Sequence, residues 1–176
     1  MKYGRILVPL DGSKLAECVL DHVATVAPAC GTQEVVLVSV TERVTVVETG
    51  RDSGAGWRMA EYTSVGSVLP EGVSPTSRSQ VTSTLGRKYE QACRYLDRIA
   101  KRLEKKGLTV NTEVLIGDPA AEITAYSKKN FDLILMASHG RSGISRWTHG
   151  SVADRVFRAG CIPILMVRAP GCNISE

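Results

Sequence analysis

The chain has 176 residues, 43% of them hydrophobic and 23% charged, which is the profile of a globular domain with one substantial core. Aromatic residues make up only 5%, and the net charge of +4 comes from 22 basic and 18 acidic residues, the basic ones scattered in pairs such as Lys101-Arg102 and Lys128-Lys129. A stacking surface for single strands and a basic block for duplexes are both missing, so no nucleic-acid partner is expected. The cysteines number 5, are widely spread and form no C-x-x-C pair, and the 3 histidines stand at no metal-ligand spacing from them. That sets aside a zinc site and a disulfide framework. No apolar run reaches membrane-spanning length and the N-terminus carries no long apolar signal region, so a cytoplasmic protein with no membrane partner is expected.

Arg5 to Leu10 contains Ile6-Leu7-Val8 and reads as a strand buried on both faces. Asp11-Gly12-Ser13 turns the chain. Ser13 is placed to cap the next helix, in which Leu15, Val19, Val23 and Val26 recur on one face until Pro28 and Gly31 end it. Glu34 to Val40 contains Val35-Val36-Leu37-Val38, a second buried strand. This strand–helix–strand unit should close as a right-handed parallel crossover.

Residues 43–80 break the pattern. They carry Gly50, Gly54, Gly56, Gly66, Gly72, Pro70 and Pro75 among many Ser and Thr, and beyond a short strand extension at Val44, Val46 and Val47 nothing in them is periodic. So long a stretch without regular structure is expected to be a flexible insertion, either covering a site or serving as a spacer. From Val81 the helical period returns, with Tyr89, Ala92, Cys93, Leu96, Ile99, Ala100 and Leu103 in one stripe and Gly107 as the stop. Leu108 to Ile116 is a third strand. Asp118 and Pro119 then stand as N-cap and first residue of a helix running to about Lys129. Leu133-Ile134-Leu135-Met136 is a fourth strand, and a helix capped by Ser151, with Asp154 at capping-box spacing, points Val152, Val156 and Phe157 inward. After Pro163, Ile164 to Val167 is the fifth strand. Five buried strands alternating with four helices predict one α/β domain over 1–176: a three-layer, Rossmann-like fold around an open parallel five-stranded sheet of order 3-2-1-4-5. That order sets the ends of strands one and four side by side and brings Asp11 next to Ala137–Gly143 at the switch point, where ligands of such sheets bind.

The segment 131–151, FDLILMASHGRSGISRWTHGS, carries the chemistry. A buried strand runs into a loop with Gly140, Gly143 and Gly150 and then into a helix start. Glycines let the backbone approach an anion, and the free N–H groups of a helix start point at it, so the loop suits phosphate. The dinucleotide pattern G-x-G-x-x-G is absent after the first strand, as is the P-loop ending in G-K-[ST], which disfavours a standard NAD enzyme or P-loop NTPase. Asp11 suits a sugar hydroxyl or a divalent cation that accompanies phosphates. Each residue also has a purely structural reading: Asp11 shapes its turn, Ser151 with Asp154 caps a helix, and Arg141 and Arg146 stand in solvent.

With ILVPLDGS at the first strand, VVLVSV at the second, LIGDP before the third helix, and MASHGRSGISRWTHGSVADRV followed by CIPILMVR, the chain resembles the universal stress protein family. The resemblance covers all but the 43–80 insertion. The nucleotide-binding branch of that family carries Gly, two residues, Gly, nine residues, then Gly followed by Ser or Thr. Here Gly140 is followed by nine residues, then Gly150 and Ser151, while the first position is Ala137, whose methyl narrows the space for ribose or phosphate. The resemblance implies an adenine-nucleotide alpha-hydrolase-like fold that binds ATP, with magnesium beside Asp11. It places adenine near Pro9, Asp11 and Val40, and ribose and phosphates near Gly140, Gly150, Ser151 and Val152, with Met136 and Ala137 as the floor; Arg141 and Gly143 of the same loop are further candidates for nucleotide contact.

Three functions fit. The first is a binding module, an ATP-binding homodimer that reports energy or stress state to an unidentified downstream protein. The apolar fifth strand, Ile164–Val167, falls at a sheet edge, which invites pairing, and the resemblance implies a dimer there. The second is a slow ATP hydrolase on the same fold; the loop offers His139, Arg141 and Ser142 but no positioned base or charge clamp, so no catalytic residue is assigned. The third is a nucleotide-free dimeric stress protein, which Ala137 favours.

Overall fold

Five strands form one parallel sheet: β1 (Arg5–Pro9), β2 (Glu34–Thr41), β5 (Val110–Ile116), β6 (Leu133–Ala137) and β7 (Ile164–Val167), in the order β5-β2-β1-β6-β7. Two short strands, β3 (Thr45–Val47) and β4 (Met59–Glu61), make a separate antiparallel pair; with these set aside the order is the expected 3-2-1-4-5. The computed structural model describes residues 2–41, 45–47, 59–61, 75–138 and 151–168. Most of the 43–80 insertion therefore lies outside the described residues, as does the tail beyond 168.

Register follows from the apolar runs: Leu7 of β1 stands opposite Val36 of β2 on one side and Ile134 of β6 on the other, and Ile134 stands opposite Ile164 of β7. Alternate side chains feed two cores. In the first, Ile6, Val8, Leu37 and Leu135 join Val19 and Val23 of α1 (Val19–Ala29) and Leu96, Ile99 and Leu103 of α2 (Pro75–Glu104). On the opposite face Leu7, Val38, Ile134 and Met136 join Ala120 and Ile123 of α3 (Pro119–Ser127) and Ala153 and Val156 of α4 (Ser151–Ala159). Helices thus cover both faces of the sheet.

Four local expectations are corrected. In the five-stranded sheet the three inner strands are the buried ones: β5 and β7, each paired on one side only among the described residues, expose part of their length. Helix α2 begins at Pro75, not Val81, because its first turns are polar and carry no apolar stripe, while Pro at a first helical position needs no partner for the N–H it lacks. Phe157 is 60% exposed; Ala153 fills the inward position next to Val156, and Phe157 stands about a quarter turn round the helix from that face. The helix at Ser151 starts on that residue rather than after it, and the Asp154 carboxylate accepts from Arg158 at 2.9 Å.

Candidate functional site

At the C-terminal end of β1 the backbone keeps pairing for one more residue, Leu10 N–H donating to Val38 O at 2.8 Å, and then leaves the sheet. The Asp11 carboxylate accepts the Ser13 N–H at 2.9 Å, the Ser13 hydroxyl accepts the Ala16 N–H at 3.0 Å, and Ser13 O accepts the Glu17 N–H at 3.2 Å. Gly12, at φ +83°, makes the reversal in the left-handed region that glycine enters without strain. The expected cap at Ser13 is thus present, but it closes a short 3₁₀ turn, Ala16–Cys18, that leads into α1. The structural and functional readings of Asp11 coexist: one carboxylate oxygen shapes the turn, and the residue remains half-buried at the sheet's end.

Strand β2 ends beside it. Val40 is half-buried against the core that contains Met136, and the Thr41 hydroxyl donates to Leu115 O of β5 at 3.2 Å. Thr41 O in turn accepts the Gly117 N–H at 3.0 Å. Gly117 sits at φ +153°, a backbone conformation that other residues rarely adopt, and a Cβ there would stand 2.6 Å from Glu122 Oε1, so that side chain would have to move.

Strand β6 ends on the other side of β1 with Met136, Ala137 and Ser138, all buried, and the Ser138 N–H donates to Val167 O at 2.7 Å. Helix α4 starts at Ser151, and Val152 packs against the same core as Val40 and Met136. Strand alternation puts Pro9, buried at the end of β1, on this face too, two residues after Leu7. Ala137 alternates to the opposite face, with Leu135. Of the residues expected to line the site, the structure therefore brings Pro9, Asp11, Val40, Met136, Ala137, Ser151 and Val152 to the C-terminal edge of the inner strands. Gly140, Arg141, Gly143 and Gly150 lie outside the described residues.

Two features have no signal in the sequence. Arg155, one turn into α4, holds the Asp118 carboxylate through both guanidinium ends at 2.8 and 3.0 Å. Tyr95 of α2 packs on the first core, with Arg98 over its ring at 5.4 Å from the centroid, and Arg98 and Arg102 both pair with Glu17 of the 3₁₀ turn. Among the described residues no group of three or more His, Cys, Asp and Glu stands together for a metal ion, and no helix is long and apolar enough to cross a membrane.

The family model described as "Universal stress protein family" matches residues 2–168. The chain belongs to the universal stress protein family. Universal stress protein MJ0577 of Methanocaldococcus jannaschii is 28% identical over 170 residues, 94% of this chain and 95% of the relative. MJ0531 of the same organism is 39% identical over 82 residues, 46% of this chain and 48% of that one. The solved structure of MJ0577 superposes with a TM-score of 0.70 at 24% identity, covering 97% of this chain and 99% of that one. A universal stress protein in complex with cAMP superposes at 0.59, with 16% identity over 96% and 99% of the two chains. The family member At3g01520 of Arabidopsis thaliana, with AMP bound, superposes at 0.56, with 11% identity over 95% and 92%. At these identities the structural matches establish the fold, a Rossmann-like parallel sheet shared with universal stress proteins.

Proposed function

We propose that this universal stress protein binds ATP at the C-terminal edge of β2, β1 and β6, and acts as a nucleotide-dependent regulatory module in the cytoplasm. The observation that carries the reading is the convergence of Pro9, Val40, Met136 and Val152, from four separate elements, on one face beside the Asp11 turn and the first turn of α4. An apolar floor suits a purine, a carboxylate suits ribose hydroxyls, and a helix start reached through a glycine-rich loop suits phosphates. Family members described with AMP and with cAMP support an adenine nucleotide. Magnesium would enter with the nucleotide: no ready-made metal cluster stands among the described residues, so Asp11 would add a carboxylate to an ion that keeps phosphate oxygens and waters as its other ligands.

Calorimetric titration of the purified protein with ATP and magnesium tests this, together with mass analysis of nucleotide released on denaturation. Saturable binding that Gly140→Val or Gly150→Val abolishes, with the melting temperature retained, is the expected result, because a branched side chain blocks backbone approach to phosphate. Wild-type affinity in both variants would remove the ligand from this loop and favour the nucleotide-free dimer.

A further inference from the structure

The two ends of the proposed nucleotide site lie on separate elements: β2 brings Val40 and Thr41 to one, and α4 brings Ser151 and Val152 to the other. Val40 and Val152 pack on one core, but apolar packing is non-directional and does not by itself fix how a helix is turned. A chain of directed contacts does. Thr41 O accepts the Gly117 N–H at 3.0 Å, so the end of β2 holds the turn that opens α3. Asp118 follows and caps α3, its Oδ1 accepting the Ala121 N–H at 2.9 Å. The same oxygen accepts from Arg155 of α4 at 2.8 Å, and Oδ2 accepts from the other end of that guanidinium at 3.0 Å. Of the other charged side chains of α4, Asp154 and Arg158 pair with each other inside the helix, while Arg155 reaches out of it. Asp118 and Arg155 are each about half exposed, where an ion pair adds little stability. What the two-point geometry supplies is orientation, because a planar guanidinium meets a carboxylate in a defined way.

We propose that Asp118 and Arg155 are positioning residues for the nucleotide site, bracing the start of α4, its phosphate end, against the end of β2, its base end, across the Gly117 turn. The inference rests on the nucleotide reading above. A ligand that spans both ends, as ATP does, gains from a separation that is fixed before it binds. Adenosine reaches the base and ribose end alone and gains nothing from it.

The test titrates Arg155→Gln, Arg155→Lys, Asp118→Asn and the double variant Asp118→Asn/Arg155→Gln with ATP and magnesium and, separately, with adenosine. Asparagine keeps the cap of α3 while removing the charge that Arg155 holds. Each single variant should bind ATP about threefold to tenfold more weakly and adenosine within about twofold of wild type. The double variant should be no weaker than the weaker single one by more than about twofold, because both changes break one link. Arg155→Lys should lose as much as Arg155→Gln, since an ammonium keeps the charge but not the fork. Wild-type ATP affinity in Arg155→Lys overturns the proposal, by showing that charge alone matters. Weaker ATP binding in Arg155→Gln with none in Asp118→Asn also overturns it and makes Arg155 a direct phosphate contact. An equal loss for ATP and adenosine overturns it as well, since that is general loosening of the fold, and so does a wild type that binds ATP but no adenosine, which has no separate base end to brace. If the wild-type protein binds neither ligand, the nucleotide reading fails and this one with it; if it binds both and the variants match it, the brace alone fails.

Discussion

Arg155 and Asp118 form a two-point ion pair, at 2.8 and 3.0 Å, around a carboxylate that also accepts the Ala121 N–H at 2.9 Å as the N-cap of α3. One side chain therefore closes the start of α3 and ties it to α4, the helix whose first turn holds Ser151 and Val152. Arg155 first, and the Ala121 amide second, hold the Asp118 carboxyl below the usual carboxylate range. A depressed folded pKa contributes stability that is fully present above the unfolded value, about 3.9, and is lost as pH falls through the lower folded value. Both partners are about half exposed, so solvent screening keeps the contribution small. Asp118→Ala, which also removes the cap, should lose about 1 kcal/mol at neutral pH; Asp118→Asn, which keeps a cap, should lose less. Melts across the acid range should show the gap between wild type and Asp118→Asn closing below about pH 4. A gap independent of pH would rule out the ionic contribution.

The β7 edge should pair with a second copy. Among the described residues β7 is bonded to β6 alone, and Leu165 on it is 39% exposed. With Phe157 at 60%, it is one of the two large exposed apolar side chains among the described residues. An open apolar edge offers its backbone groups and its side chains to the same partner. Light scattering at micromolar concentration should give twice the chain mass. Leu165→Lys should give the monomer with its melting temperature little changed, since the position is not in the core. Val167→Lys is a poor probe, because Val167 belongs to the first core. A wild-type monomer would end the dimer reading.

ATP hydrolysis should be slow or absent. Turnover by phosphoryl-transfer enzymes needs a positioned base and a charge clamp on the leaving phosphate. Of the described carboxylates there, Asp11 already shapes its own turn and Asp154, in the first turn of α4, accepts from Arg158. Phosphate release well below about 1 per second is expected. A faster rate that disappears in Gly140→Val would make the protein an enzyme.

The inner strands are legible because Ile6-Leu7-Val8, Val35-Val36-Leu37-Val38 and Leu133-Ile134-Leu135-Met136 are continuous apolar runs, which only a sheet covered on both faces requires. The C-terminal half of α2 is legible from the period of Ala92, Leu96, Ile99 and Leu103; its start at Pro75 is not, because propensity without an apolar stripe leaves no period to read. Ala153 is easily missed beside Phe157 because a small residue gives a weak burial signal even where it fills the core. The Asp11, Val40, Met136 and Val152 positions follow from sheet order together with family resemblance. The links from Asp118 to Arg155, 37 residues apart, and from Glu17 to Arg102, 85 apart, follow no local period and emerge only once the fold is seen.

Ala137 separates two accounts of the site. Read along the motif, its methyl stands where the family has glycine, and crowds the ligand. Strand alternation places it otherwise: Met136 lies in the core with Val156, Leu135 in the core with Val19, and Ala137 follows Leu135 to the α1 and α2 side. Its backbone stands opposite Val167 of β7, and the residue is buried. On that geometry Ala137→Gly should leave ATP affinity within about threefold of wild type while costing about 0.5–1 kcal/mol of stability, the usual loss for glycine inside a strand. Val40→Trp, on the α3 and α4 side, should by contrast weaken binding at least tenfold, on the order of 1.4 kcal/mol, because the ring fills the space taken by the base. Titration of both variants, with melts of the free proteins beside them, decides between the accounts. A tenfold gain in Ala137→Gly would show that the methyl faces the ligand, and the face assigned to the nucleotide would have to move.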